Sequence, residues 1–254
     1  MAITQVYYHL LREACRKKTI SKGSSVLELG EANWYGDFSP EVLRSEIRKY
    51  VDDQVLQAEL ERRLDDQKSP TYIFDVAKII YDLLFCPSKV VSIDFHGTPA
   101  ALKLDLNMKV DLGEHFDLVI NNGTAEHIFN IGQVFKTIHD HTKVEGVMIH
   151  EAPFTGWFDH GLFNIQPTLF FDLATANQYN VLGYFCCQHK PPFILQIESP
   201  REMLEAVKTN KVPENAVLIV FLKKTTDQDF KYPIQGYYAG TIDEERRESW
   251  LKDR

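Results

Sequence analysis

Three histidines fall after the predicted strands near 116–120 and 147–149, each next to a carboxylate: Glu126-His127, His150-Glu151 and Asp159-His160. A free imidazole titrates near pH 6.5, so it can accept a proton at neutral pH. The pattern suits three uses. One histidine is a general base acting on a polar acceptor, with His127 and His160 the first choices and His150 the third. Alternatively the imidazoles and carboxylates hold a divalent ion, or they only make hydrogen bonds; the sequence leads to no metal assignment. His139 and His141 fall near the end of a predicted helix, where the dipole favours a cation, and are read as structural, as are His115 and His189. Trp34, Tyr35, Phe154, Trp157, Phe158 and Phe163 each suit core packing, and as a group in loops they also suit stacking on a sugar. The loop 151–166, with Gly156 and Gly161, is long enough to act as a lid.

A second constellation begins at residues 24–38, SSVLELGEANWYGDF. An apolar run ending at Gly30 is the usual entry to a nucleotide site. A dinucleotide loop needs G-x-G-x-x-G and an acid about 20 residues on. Here the loop reads G-E-A-N-W-Y-G, and Asp94 lies 64 positions (94 − 30) beyond Gly30. Without the middle glycine, a pyrophosphate could not approach the backbone closely. No G-x-x-x-x-G-K-[ST] loop occurs either, which excludes P-loop phosphoryl transfer. A cofactor without phosphate tolerates the bulkier loop.

The elements that position these residues are short apolar runs alternating with helical patterns. Strands are predicted at 26–29, 90–93, 101–104, 116–120, 147–149, 181–187 and 216–222. Helices are predicted over 5–18, 40–66, 74–84, 126–141 and 168–179, with another opened by the capping box Ser199-Pro200-Arg201-Glu202. Such alternation implies parallel βαβ units, with helices on both faces of the sheet. In that arrangement ligands sit beyond the carboxyl ends of the strands. Gly30, Asp94, Asp105, Asn121–Thr124 and His150-Glu151 occupy those ends. The whole chain, 1–254, reads as one domain. It has an N-terminal helix within 1–22, a helical insertion at 39–86 and a peripheral tail at 225–254.

The 254 residues carry a net charge of −8, which argues against nucleic-acid binding, since phosphate neutralisation needs a basic face. Cys15, Cys86, Cys186 and Cys187 make no CxxC pair, so reduced thiols in a cytoplasmic protein are expected. No apolar stretch approaches the roughly 20 residues of a membrane span. Charged residues from Arg12 onward break any signal-peptide core, and the cytosol is the expected compartment.

In order, VLELGEANWYG, VSIDFHG, KLDLN and FDLVINNGTAEH resemble the successive motifs of class I S-adenosylmethionine-dependent methyltransferases, over roughly residues 24–223. The segment FDLVINNGTAEHIFN…VFKTIHD…GVMIHEAPF…DHGLFNIQPTLFFDLA is similar to small-molecule methyltransferases of bacterial surface-polysaccharide and capsule biosynthesis. The resemblance implies a doubly wound, mostly parallel seven-stranded sheet of Rossmann-like type and S-adenosylmethionine as cofactor. Carried over residue by residue, it sets Glu28 and Gly30 along the methionine moiety and Asp94 on the ribose hydroxyls. Asp105 and the backbone of Leu106 would meet the adenine edge, and Asn121 would line the pocket. Glu31 and Trp34 stand where the family has glycines, and belong to the same cofactor loop. The implied partner is a small polar acceptor such as a surface-glycan precursor, with no nucleic acid and no membrane involved. A nicotinamide-dependent nucleotide-sugar oxidoreductase or epimerase is the alternative enzyme. A catalytically silent cofactor-binding module is the non-enzymatic one.

Overall fold

The apolar runs become strands because each serves two cores at once. In β2 (Ser25–Leu29), Val26 enters one core while Leu27 and Leu29 enter the other. In β5 (Phe116–Asn122), Leu118 and Ile120 face the first core and Val119 the second, while an irregular register between Phe116 and Leu118 turns Phe116 to the second core as well. Side chains that alternate at every residue require this split. A computed structural model describes residues 2–244, 247, 248 and 251.

The sheet has seven strands, in the order β4 (Lys89–Ile93), β2, β5, β6 (Thr142–Pro153), β9 (Val217–Lys223), β7 (Asn180–Gln188) and β8 (Phe193–Gln196). β4, β2, β5 and β6 pair in parallel. β9 runs antiparallel to β6 and β7, and β8 antiparallel to β7. Five strands therefore share one direction, and the sheet is mixed. The first core receives α1 (Gln5–Arg16), α2 (Pro40–Tyr50), α3 (Gln54–Asp65) and α4 (Tyr72–Leu84). The second receives α5 (Ile131–His141), α6 (Pro167–Asn177) and α7 (Pro200–Lys208). A two-residue parallel pair, β1 (Ala2–Ile3) with β3 (Asn33–Trp34), brings the N-terminal segment to the carboxyl ends of β2 and β5. Among the described residues no helix is long and apolar enough to cross a membrane.

Several boundaries differ from those expected, each for a local reason. The predicted helix 40–66 is two helices. Val51 is extended, and the Asp53 carboxylate accepts from the amides of Val55 and Leu56, capping α3 afresh. The strand expected at 101–104 is reduced to one bridge, between Ile93 and Leu102. There the Lys103 ammonium donates to the carbonyls of Asp94, Gly97 and Thr98, which holds the segment as a loop. The helix expected from 126 starts at Ile131, preceded by a 3₁₀ turn at Ala125–His127. β6 continues to Pro153, which shortens the loop that follows, and β8 was not anticipated. In the tail, Phe230 enters the second core, and the Gln228 carbonyl lies 2.8 Å from His139 Nε2.

His139 and His141 do hold structure, but not as cations on a dipole. Burial, then the nearby Lys224, lowers the His139 pKa. His141 Nε2 accepts from the Leu112 amide, and Nδ1 lies 2.7 Å from the Thr137 carbonyl. The buried Lys224 ammonium supplies the positive charge at the end of α5, donating to the carbonyls of His139 and Thr142.

Candidate functional site

Two clusters lie at the carboxyl end of the parallel strands. At the first, Gly30 leaves β2 with φ +84°, a turn that only glycine makes without strain, and its amide donates to Ile93 at the end of β4. The next side chain is a buried carboxylate. Glu31 pairs with Lys78 at 2.6 Å and accepts from the amide and hydroxyl of Thr98. Asp94 links the two loops: one oxygen accepts from the Glu31 amide at 2.8 Å, the other from His96 and Gly97. A Cβ on Gly97 would stand 2.6 Å from the Glu31 carboxylate, so this approach is open only to glycine. Glu28 lies beneath, fully buried, accepting from Tyr81 and Ser92; burial raises its pKa, and these bonds oppose the shift.

The remaining cofactor candidates fall into different positions. Asp105 is exposed and accepts from the amide and side chain of Asn107, while Leu106 is buried in the second core. Trp34 packs edge-on to Phe38 and Tyr72, with its indole N–H buried and unpartnered. Asn121 is fully buried; its side-chain oxygen accepts from the Ala125 amide and so shapes the 3₁₀ turn. Asn107 also clamps Asn130, just before α5, through two hydrogen bonds.

S-Adenosylmethionine, the group implied by the sequence resemblance, can be tested against this donor set. The turn offers a pyrophosphate no free cradle, since the Gly30 and Glu31 amides are spent on Ile93 and Asp94 and the Glu31 carboxylate on Lys78 and Thr98; a ligand without phosphate needs none. Asp94 spends three of its roughly four lone-pair directions on backbone amides, leaving one for a hydroxyl. The residues therefore fit a phosphate-free adenosine, with Asp94 a staple between the two loops that keeps one lone pair free.

The second cluster surrounds a cavity of about 240 Å³. Its walls bring together Ala2, Thr4 and Tyr35, then Asn122, Glu126 and His127 beyond β5, Glu151 in β6, Trp157 and His160 in the next loop, and His189 after β7. Glu126 is 1% exposed, and its Oε1 lies 3.9 Å from His127 Nε2 and 3.8 Å from His160 Nε2. The two imidazole rings are 5.0 Å apart, and Trp157 packs edge-on to His160 at 4.9 Å. The loop docks because Leu162 and Phe163 both donate to the Glu126 carbonyl. A Cβ on Gly161 would meet Glu126 at 3.1 Å and His127 Nδ1 at 3.3 Å. Trp157 and Asp159 both have positive φ, a conformation costing about 1–3 kcal/mol for such residues. The bond from the Trp157 indole to the Ala216 carbonyl helps to hold it.

This wall is electrostatically unfinished. Glu126 Oε2 and Glu151 Oε2 are buried without partners. Burial, reinforced by the charge of Glu151, pushes the Glu126 carboxyl up to about 7. Burial, then the charge of His160, lowers the His127 pKa. His189 donates to Glu151 at 2.9 Å, and its Nδ1 lies 3.0 Å from the Thr4 hydroxyl. Burial opposes protonation of His189, but the Glu151 hydrogen bond and charge outweigh it and raise the pKa.

The three histidines expected together separate. His127 and His160 share the cavity. His150 does not reach it: 1% exposed, its ring packs between Phe135 and Phe170, and burial takes its pKa down to about 3. Side-chain alternation explains the difference, because Glu151, its neighbour in β6, faces the cavity instead. His189 and Thr4 were missed as site residues, and Glu151 stood out only as the neighbour of His150. Thr4 signals only a helix start, accepting from the Tyr7 amide, and His189 meets Glu151 only through the tertiary fold.

No family model and no curated protein matches the chain. Solved structures resemble it at low identity. TehB from Haemophilus influenzae is 11% identical with a TM-score of 0.46, over 85% of this chain and 62% of TehB. A SAM-dependent methyltransferase from Archaeoglobus fulgidus is 13% identical with a TM-score of 0.44, over 85% of this chain and 94% of that one. Coclaurine N-methyltransferase, bound to N-methylheliamine and SAH, is 16% identical with a TM-score of 0.42, over 85% and 72%. Identities and scores this low leave the function to be argued from the site.

Proposed function

We propose that this chain is an S-adenosylmethionine-dependent methyltransferase acting on the hydroxyl of a small polar acceptor. The observation that carries the reading is the adjacency of two sites at one end of the sheet: a turn that offers phosphate no cradle, after β2 and β4, and a cavity walled by Glu126, His127 and His160, after β5 and β6. When bound, S-adenosylmethionine supplies a methyl group on a positively charged sulfonium. Asp94 holds the Glu31 turn in place and offers its remaining lone pair to a ribose hydroxyl. Asp105 and the Leu106 backbone face the adenine edge. His127 or His160 takes the acceptor proton, and the Glu126 carboxylate beside both stabilises the imidazolium that results. Trp157 and Tyr35 exclude water and offer faces for a sugar to stack on. The cavity is smaller than the usual 300–1,000 Å³ of a full ligand pocket, so it suits the reacting end of a larger acceptor. On the strength of the sequence resemblance, surface-glycan precursors are the acceptor class to screen first, nucleotide sugars and phosphate- or phosphoramidate-bearing intermediates included. The cytosol is the compartment that goes with them.

Calorimetry with S-adenosylmethionine and S-adenosylhomocysteine tests the reading. Micromolar binding, about −8 kcal/mol, that weakens in Asp94→Ala is the expected result. No binding of either ligand by the wild-type chain would refute it. Once an acceptor is found, His127→Ala and His160→Ala should lower kcat, one of them by about 10²-fold or more. If kcat survives both, neither histidine is the base.

A further inference from the structure

The Glu126–His127–His160 wall contains more than a base requires. We propose that these three side chains form a binding site for one divalent first-row transition ion, open toward the cavity. Each offers a ligand atom, and all three atoms lie within 4.8 Å of one another. The two imidazole nitrogens stand 3.9 and 3.8 Å from the same carboxylate oxygen. Tetrahedral coordination with bonds of 2.0–2.1 Å sets ligand atoms about 3.4 Å apart, so the two histidine–glutamate distances need to close by about half an ångström, and the two exposed imidazoles must swing toward each other from a separation of at most 4.8 Å. Its two histidines are exposed while Glu126 is almost wholly buried, and the second Glu126 oxygen has no partner. A buried carboxylate that faces two imidazoles with one oxygen and leaves the other unpartnered is costly by itself, and a cation compensates it. Two nitrogens and one oxygen favour zinc, cobalt, iron or manganese over magnesium and calcium, which prefer oxygen alone.

The framework looks built to hold this set. The 3₁₀ turn breaks the chain before α5, which places Glu126 and His127 side by side beyond β5. Gly161 lets the next loop close onto Glu126, and that loop brings His160 across. Three protein ligands leave a coordination position open, the arrangement of reactive rather than structural ion sites. That position faces the cavity, where an acceptor oxygen could enter. Ion binding stands independently of the methyl-transfer reading; the use of the ion to bind and acidify an acceptor hydroxyl rests on it, and in the ion-bound state that acidification takes the place of a free imidazole base.

The test is titration of the metal-free full chain with Co²⁺, followed by calorimetry and visible absorption, with Mg²⁺ for comparison and no other ligand. One Co²⁺ per chain, with the absorption of a four- or five-coordinate site and far weaker Mg²⁺ binding, is expected. Affinity should fall at least tenfold in both Glu126→Gln and His160→Ala, and stay unchanged in His115→Ala, which alters an exposed histidine elsewhere. His160 is exposed on a loop, so that variant carries the test even if Glu126→Gln fails to fold by circular dichroism. No Co²⁺ bound by wild type, or binding unaffected by His160→Ala, overturns the site. Because no S-adenosylmethionine is present, neither result depends on the cofactor reading.

Discussion

The two halves of the strand-end surface treat their polar groups in opposite ways. After β2 and β4 nearly every buried polar atom is satisfied within the chain. Asp94 accepts three amides, Glu31 is held by Lys78 and Thr98, and Glu28 by Tyr81 and Ser92. After β5 and β6, Glu126 and Glu151 each keep an orphaned oxygen, and His150 an orphaned nitrogen. Buried polar groups are ordinarily paired, because leaving one unpaired costs about 1–3 kcal/mol. The first half is therefore finished as scaffold and lends a ligand what capacity is left. The second is left incomplete at Glu126 and Glu151, where the proposed ligand or ion would complete it; the His150 nitrogen lies outside the cavity.

That contrast can be broken in three ways. The largest effect should come from the finished half. Asp94→Ala removes three amide acceptors at once and should lower stability by about 2–4 kcal/mol in urea unfolding, besides weakening cofactor binding. A loss under 1 kcal/mol would mean that the staple is not structural. The second effect concerns acid. The folded His150 pKa of about 3 lies below its unfolded value near 6.5, so the native state binds fewer protons between those limits. Stability is thus fully present above about pH 6.5 and is lower by about 2 kcal/mol at pH 5. His150→Leu should flatten that limb while changing stability at pH 7.5 little; identical acid limbs in the two proteins would dispose of the idea. The smallest effect is the most telling. In metal-free protein, Glu126→Gln should leave stability unchanged or raise it by up to about 1 kcal/mol, because a buried charge is removed while the amide oxygen can keep the contacts of Oε1 and the orphaned Oε2 has none to lose. A loss of 2 kcal/mol would place Glu126 with the scaffold.

Much of the fold could be read from the chain because short apolar runs must alternate between two cores, as Val26 and Leu27 do. Strand-end acids and the Gly30 turn could be read for the same reason. What could not be read was set by single tertiary bonds. Lys103 folds around three carbonyls and abolishes a strand that Ala101–Leu104 would otherwise form. Asp53 restarts a helix that periodicity alone would have continued. Position after the predicted strands selected all three candidate histidines, yet only strand parity separates His150 from the cavity that Glu151 faces. His189 carried no signal at all until β7 delivered it to Glu151.

The two hydrogen bonds between Asn107 and Asn130 have a consequence for protein engineering. They fasten the loop at the proposed adenine edge to the chain between the histidine turn and α5, so the two segments form one interchangeable cassette. A chimera that imports a different 103–110 loop to change nucleoside preference must import an asparagine at 107 with it. Otherwise the graft unseats the anchor behind His127, and acceptor handling changes along with the cofactor.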